Sequence, residues 1–342
     1  MKQTDAIISG LLEETEPDDG GEPPAETEWR REEISAAQHG YRLDQALVDV
    51  APEFSRSYLQ QLIEDGLVAV NAKTVLKASS RVKAGDRVAI ELRPTPQSQA
   101  FKPEEIPLDI VYADEHLWII NKPPGLVVHP APGNWSGTLL NGLLALDTAA
   151  ALVPRAGIVH RLDKDTSGLM VVARTRAVMD LLVRSIAARE VSRQYLALAH
   201  HPWKHAKQVT VEAPVGRDPR NRLRMAVVDL EKTAGKTAKT DVILLGNAQA
   251  GCFVRCILHT GRTHQIRVHM ASLGHPLMAD VVYGGTCVPE MARQALHACR
   301  LAFTHPITQA ALVFEAPLPA DFQGLVDAWG LRYNPVHGLK SP

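Results

Sequence analysis

The segment from Gly157 to Thr175, GIVHRLDKDTSGLMVVART, limits what this chain can fold into more than any other. Gly157-Ile158-Val159 and Leu169-Met170-Val171-Val172-Ala173 are apolar, rich in β-branched residues and too brief for a helix, so they predict two short strands. Eight or so polar residues lie between them, with turn chemistry supplied by Thr166-Ser167-Gly168. A loop anchored in sheet at both ends can hold a reactive side chain still while its tip meets solvent. This one carries two carboxylates, Asp163 and Asp165, flanked by Arg161 and Lys164. Composition alone fits a solvated turn as well as a catalytic loop.

The string HRLDKDTSG resembles the catalytic loop of the RNA pseudouridine synthases, in the branch that modifies ribosomal and transfer RNA uridines. That resemblance makes Asp163, the acid of the R-L-D triplet, the catalytic carboxylate. A second string, TGRTHQIRVHMASLGHPLMAD from Thr260 to Asp280, resembles the same family. It implies that Arg267 pairs with the catalytic acid, with Arg262 the runner-up for that role. In the family's R/K-x-Y-x-A context a tyrosine stacks on the target base, which here is Tyr195. An aromatic plate is what a pyrimidine needs once it has left the RNA stack. Arg161, beside Asp163, is placed to fill the vacated position or hold a phosphate. NKPPGLVVHP, from Asn121 to Pro130, continues the resemblance with an irregular turn near the cleft.

With 342 residues the chain has room for two or three domains, and 45% hydrophobic residues is ordinary for a soluble globular protein. No apolar run reaches the roughly 18 residues of a spanning helix, and a basic n-region followed by an apolar h-region is lacking, so the expected location is the cytoplasm, with no membrane partner. Cys252, Cys256, Cys287 and Cys299 contain no C-x-x-C pair and fit a reducing compartment. A zinc site from Cys252, Cys256, His259 and His264 is imaginable, but residues 252–258 read as one strand with buried cysteines, so no metal is expected. His264, His269 and His275 are expected to hydrogen-bond structure or RNA.

The net charge of −1 conceals an uneven distribution: residues 1–30 hold nine acids against Lys2 and Arg30, a balance of −7, which leaves +6 on the remainder. Residues 1–38 are therefore expected to be an acidic disordered tail. Residues 39–93 read as a basic module. Leu43, Ala46, Leu47 and Val50 predict one helix, and a second is capped by Ser55 and stopped by Gly66. Val68 and its neighbours form a strand, and 88–92 a closing strand. RLDQAL, SRSYLQQLIEDGLVAVN and VKAGDRV resemble the S4 RNA-binding domain, which implies phosphate contacts by Arg56 and Lys73. A Pro-rich linker at 94–102 leads to a catalytic domain over 103–333, followed by a tail at 334–342.

In the catalytic domain, 108–112 and 117–121 predict a hairpin, 139–146 a buried helix, and 178–188 a helix with Met179, Leu182, Val183 and Ile186 on one face. GRDPRNRLRM, residues 216–225, holds four arginines and reads as a phosphate-gripping loop with Arg217, Arg220 and Arg222 as RNA contacts. The resemblance, covering residues 40–333, implies an α+β fold: an S4 RNA-binding domain, then a pseudouridine synthase domain on a mixed, mainly antiparallel β-sheet with flanking helices. Within the family the strings look most like members that modify the helix-69 stem-loop of 23S rRNA.

Uridine becomes pseudouridine when the N1–C1′ bond breaks, the base turns and C5 joins C1′. The change is redox-neutral, so no cofactor is expected, and the chain has no G-x-G-x-x-G, no H-E-x-x-H and no complete P-loop before Gly235-Lys236-Thr237. A carboxylate in a partly dry pocket stays charged only beside a cation, which Arg267 would provide. Attack at C1′, attack at C6 and removal of a sugar proton are all open to it.

Overall fold

Leu43, Ala46 and Leu47 recur at helical spacing and are fully buried on one face of a helix, α1 (Leu43–Val50), in the computed structural model, which describes residues 28–52, 56–92, 101–131 and 134–333. The chain divides into two units at Gln97/Ser98. The first begins with β1 (Glu28–Glu33), followed by α1, α2 (Arg56–Glu64), β2 (Val68–Val70), β3 (Lys73–Thr74) and β4 (Arg87–Leu92). Its sheet runs β1-β4-β2-β3, with every pairing antiparallel. Leu43, Leu47, Leu59, Ile63, Val68 and Ile90 close its core.

Strand β1 corrects the expectation of disorder up to residue 38. Its six residues, EWRREE, have almost no apolar pattern, yet they pair with β4 from Glu28 opposite Leu92 to Glu33 opposite Arg87. The backbone edge of β4 supplies what side-chain periodicity does not. The rest of the acidic segment, Ser55 as a cap, most of the linker and the tail at 334–342 lie outside the described residues.

The second unit continues with β5 (Ile110–Ala113), β6 (Leu117–Lys122), α3 (Leu139–Leu146), β7 (Ser167–Ala173), α4 (Arg176–Ala187), β8 (Ser192–His200), β9 (Gln208–Glu212), β10 (Val215–Arg217), β11 (Met225–Val227), β12 (Gly235–Lys236), β13 (Lys239–Asn247), β14 (Gly251–Leu258), α5 (Gln265–Ser272), β15 (Leu296–Thr304), β16 (Ala311–Glu315) and α6 (Ala320–Ala328). Its main sheet has the order β5-β6-β7-β15-β8-β14-β13-β9, with β16 on β15, and β11-β10-β12 form a separate small sheet. Pairing is antiparallel except between β7 and β15, which run parallel through His297 opposite Ser167 and Ala298 opposite Gly168. The expected α+β architecture, a mixed and mainly antiparallel sheet with helices, is what the chain forms.

Two details differ from expectation. Gly157-Ile158-Val159 is not a strand: Ile158 makes a single bridge to Val172 after a short 3-10 turn at Pro154–Gly157. On α4 the buried residues are Val178 and Leu182, whereas Val183 is 44% exposed. A face defined by i, i+3 and i+4 steps from Val178 excludes it. The parallel contact at β7 depends on Gly168, whose φ is +114° and where a Cβ would sit 2.2 Å from the Ala298 carbonyl oxygen. Strand β7 is buried throughout, so the polar loop before it emerges from the middle of the core.

Candidate active site

Four side chains grip that loop. Lys122, at the end of β6, is fully buried and its Nζ donates to the carbonyls of Pro123 (2.8 Å), Leu126 (2.9 Å) and Lys164 (2.9 Å). Burial pushes its pKa down to about 7, against the pull of Asp165. Arg293 Nη1 donates to the Asp165 carbonyl (2.9 Å) while its Nε and Nη2 hold Asp321 (2.7 and 2.9 Å). Gln294 Nε2 donates to Thr166 Oγ1 (3.3 Å), and Ser167 Oγ lies 3.0 Å from His297 Nδ1. Every residue from Lys164 to Ser167 is thus tied to a partner, and Asp163 is presented at their head.

Asp163 is 16% exposed, and Arg267 Nη1 donates to its Oδ2 (3.2 Å). Arg267 stands on α5 and is itself anchored: Nε and Nη2 form a two-pronged pair with Asp280 at 2.7 and 2.8 Å. Tyr283 covers the guanidinium, 4.9 Å from ring centre to Cζ. Burial opposes the charge on Arg267, but Asp280 and then Asp163 hold its pKa above the ordinary value. Between the two arginines considered for this contact, the structure brings Arg267 to Asp163. Arg262 Nε donates to the Thr237 carbonyl instead (3.0 Å).

His264 closes the other side. It precedes α5 in a left-handed conformation, φ +56°, with Nδ1 2.8 Å from the Tyr283 hydroxyl and Nε2 3.9 Å from Asp163 Oδ1. The Tyr283 hydroxyl also accepts from the Met225 N–H (3.0 Å), which ties the histidine to β11. Burial lowers the His264 pKa, helped by Arg267 and Arg161 and opposed by Asp163. Asp163 Oδ1 accepts no hydrogen bond among the described residues.

Tyr195 lies on β8 with only 5% of its surface exposed, within the main core, and burial raises its pKa to about 12. Its ring is fixed by packing, with little of its face open. Arg161 is exposed, as are Arg217, Arg220 and Arg222 around the β10–β11 turn. In the first unit Lys73 is exposed, and Arg56 pairs with the buried Asp44 (3.0 Å), which also accepts from Arg42 (3.0 Å). Burial works against the Asp44 charge, but the bonds from Arg42, Gln60 and Arg56 hold its pKa down at about 2.

His269 bonds Thr240 Oγ1 and the Ala213 carbonyl, and His275 the His200 carbonyl, each at 2.9 Å. Cys252 and Cys256 are buried in β14, and the described residues hold no cluster of three or more His, Cys, Asp or Glu side chains placed for a metal ion. No helix among the described residues is long and apolar enough to cross a membrane. Sequence reasoning missed Lys122 as a clamp, and also Asp280, Tyr283 and Arg293. For Asp280 a signal existed, an acid directly after the apolar Leu277-Met278-Ala279.

The clamp at Ser167 carries a pH dependence. His297 is fully buried, and burial pushes its pKa down to about 4. An unfolded histidine titrates near 6.5, so between about pH 6.5 and about pH 4 the unfolded chain takes up a proton that the folded chain refuses. Stability from this group is complete above that window and falls with falling pH inside it, by about 3 kcal/mol. Urea unfolding at pH 7 and pH 4.5 is expected to show His297→Gln losing about 2–3 kcal/mol less than wild type over that interval. Equal losses in both proteins would contradict this account.

Residues 116–272 match the RNA pseudouridylate synthase family, and residues 42–88 match the S4 domain. The chain belongs to the first of these and is an RNA pseudouridine synthase that carries an S4 domain. More narrowly, it is 48% identical over 304 residues to the "Ribosomal large subunit pseudouridine synthase D" of Neisseria meningitidis serogroup B, covering 86% of this chain and 80% of that protein. It is 44% identical over 307 residues to the protein of the same name from Escherichia coli K12, covering 86% and 92%. Among solved structures, "Human RNA Pseudouridylate Synthase Domain Containing 1" superposes with a TM-score of 0.50 at 25% identity, covering 68% of this chain and 98% of that one.

Proposed function

We propose that this synthase isomerises uridines of large-subunit ribosomal RNA in the cytoplasm, and that its target is the helix-69 stem-loop of 23S rRNA. The observation that carries the reading is the division of Arg267 between two acids: two donors grip Asp280, one reaches Asp163, and Asp163 Oδ1 is left for a substrate. The printed names of the relatives support the ribosomal substrate. The strings around Asp163 and Arg267 support the helix-69 target.

In this reading the target uridine leaves the stack, a step costing a few kcal/mol, and Arg161 takes its place or holds its phosphate. Tyr195 packs against the base, and Arg262, Arg217, Arg220 and Arg222, with Arg56 and Lys73 of the S4 unit, contact RNA backbone. Asp163 acts on the ribose or the base as the N1–C1′ bond breaks. After the base turns, C5 bonds to C1′, C5 gives up its proton and N1 regains one, so no electrons are exchanged with a cofactor. The donors of Arg267 already face the carboxylate, which limits reorganisation during the step.

Pseudouridine mapping of 23S rRNA from cells with and without the gene tests the target. Loss of modification in helix 69, restored by the wild-type gene and not by Asp163→Asn, is the expected result. Unchanged helix 69 with loss elsewhere would overturn the target, and no tritium release from C5-tritiated uridine RNA would overturn the role of the site.

A further inference from the structure

Arg193 is 7% exposed and stands on β8 two residues before Tyr195, so the two side chains point to the same face of the sheet. Its Nε is buried without a hydrogen-bond partner, and no carboxylate among the described residues pairs with its guanidinium. The group lies under the backbone of Gly261, where a Cβ would come within 2.9 Å of Nη1. Gly261 is exposed and belongs to the loop that leads through Arg262 and His264 into α5, so only the absence of a side chain leaves space there.

A second unsatisfied donor lies at the root of the Asp163 loop. His160, three residues before Asp163, accepts the Val171 N–H at Nε2 (3.1 Å), which puts its own proton on Nδ1 when neutral, and Nδ1 is buried without a partner. Burial lowers the His160 pKa to about 3, and the charge of Arg193 adds to that effect. The same charge acts on Tyr195. Arg193 therefore brings a buried guanidinium to the strand face that carries Tyr195, under the loop that leads into α5.

A buried charge without a counter-charge is costly, and native proteins pair such groups or use them on ligands. Exposure separates Arg193 from the chain's other loose arginines. Arg161 is exposed, and Arg255, whose Nε is likewise unpaired, is only half-buried. A uracil carbonyl would satisfy one donor but not the charge. The planar fork of a guanidinium fits an anionic oxygen pair, and the anion of an RNA substrate is its phosphodiester.

We propose that Arg193 is an anion-binding site that takes one phosphodiester of the RNA strand next to the extruded uridine, with the strand passing over Gly261. The inference rests on the RNA-substrate reading above and adds to it a backbone contact inside the catalytic cleft, beyond the exposed basic loops.

The test uses full-length protein and a uridine-containing stem-loop over a range of salt concentrations. Arg193→Gln is expected to bind about tenfold more weakly at low salt and to lower the log–log salt slope by about one, while Arg193→Lys keeps the slope. Methylphosphonate linkages, which remove one phosphate charge, are then placed singly around the target uridine. One linkage is expected to weaken wild-type binding and to cost Arg193→Gln nothing further. An unchanged slope, or equal costs at every linkage in both proteins, overturns the proposal. If Arg193→Gln does not fold, the scan is run on wild type and Arg193→Lys, and the absence of any sensitive linkage within two nucleotides of the uridine overturns it. Wild type that binds and turns over RNA without these effects sinks this inference alone. Wild type that does neither sinks the functional reading.

Discussion

Asp163→Asn is expected to lose at least about a thousandfold in single-turnover tritium release from C5-labelled RNA while binding that RNA as wild type does. Asparagine has the shape of aspartate but not its charge, and its carbonyl oxygen can still accept the one 3.2 Å bond from Arg267. Arg267 keeps both bonds to Asp280, so no buried cation is orphaned. Asp163 itself is 16% exposed, and a stability change within about 1 kcal/mol of wild type follows. Full turnover in this variant would end the assignment of Asp163. A large fall in melting temperature would show that the carboxylate is structural.

Asp280→Ala is expected to do the reverse damage, costing about 3–5 kcal/mol in urea unfolding. Asp280 is 1% exposed and accepts two bonds from a guanidinium that is 7% exposed. Its removal leaves Arg267 a single, longer contact to Asp163. Turnover is expected to fall as well, chiefly in kcat, because the donor facing Asp163 loses the anchor that aims it. A double-mutant cycle with Asp163→Asn should show coupling, since both acids share one guanidinium. Additive effects would mean that Asp280 acts independently of the site.

Much of the catalytic unit was legible because its signals are local. The apolar run at residues 169–173, the turn chemistry before it and the buried helix at 139–146 are each marked within a few residues of the feature they describe. Arg267 was legible through resemblance, and its contact with Asp163 spans 104 positions of sequence, a pairing that periodicity cannot show. The clamps were illegible for the same reason: Arg293 to Asp165 and Gln294 to Thr166 each span 128 positions. Lys122 was hidden differently, since a lysine before two prolines reads as an exposed turn and nothing local says its amine is fully buried. Strand β1 was missed because a charged edge strand borrows its order from its neighbour.

The straps on the Asp163 loop have a consequence for synthesis. Arg293, Gln294 and His297 are made long after residue 163, so a nascent chain that has emerged only through α5 already contains Asp163, Tyr195 and Arg267 yet lacks three of the four side chains that hold the loop. A chain cut short before β15 is therefore expected to carry Asp163 with Lys122 as the one remaining side chain of the four that hold its loop.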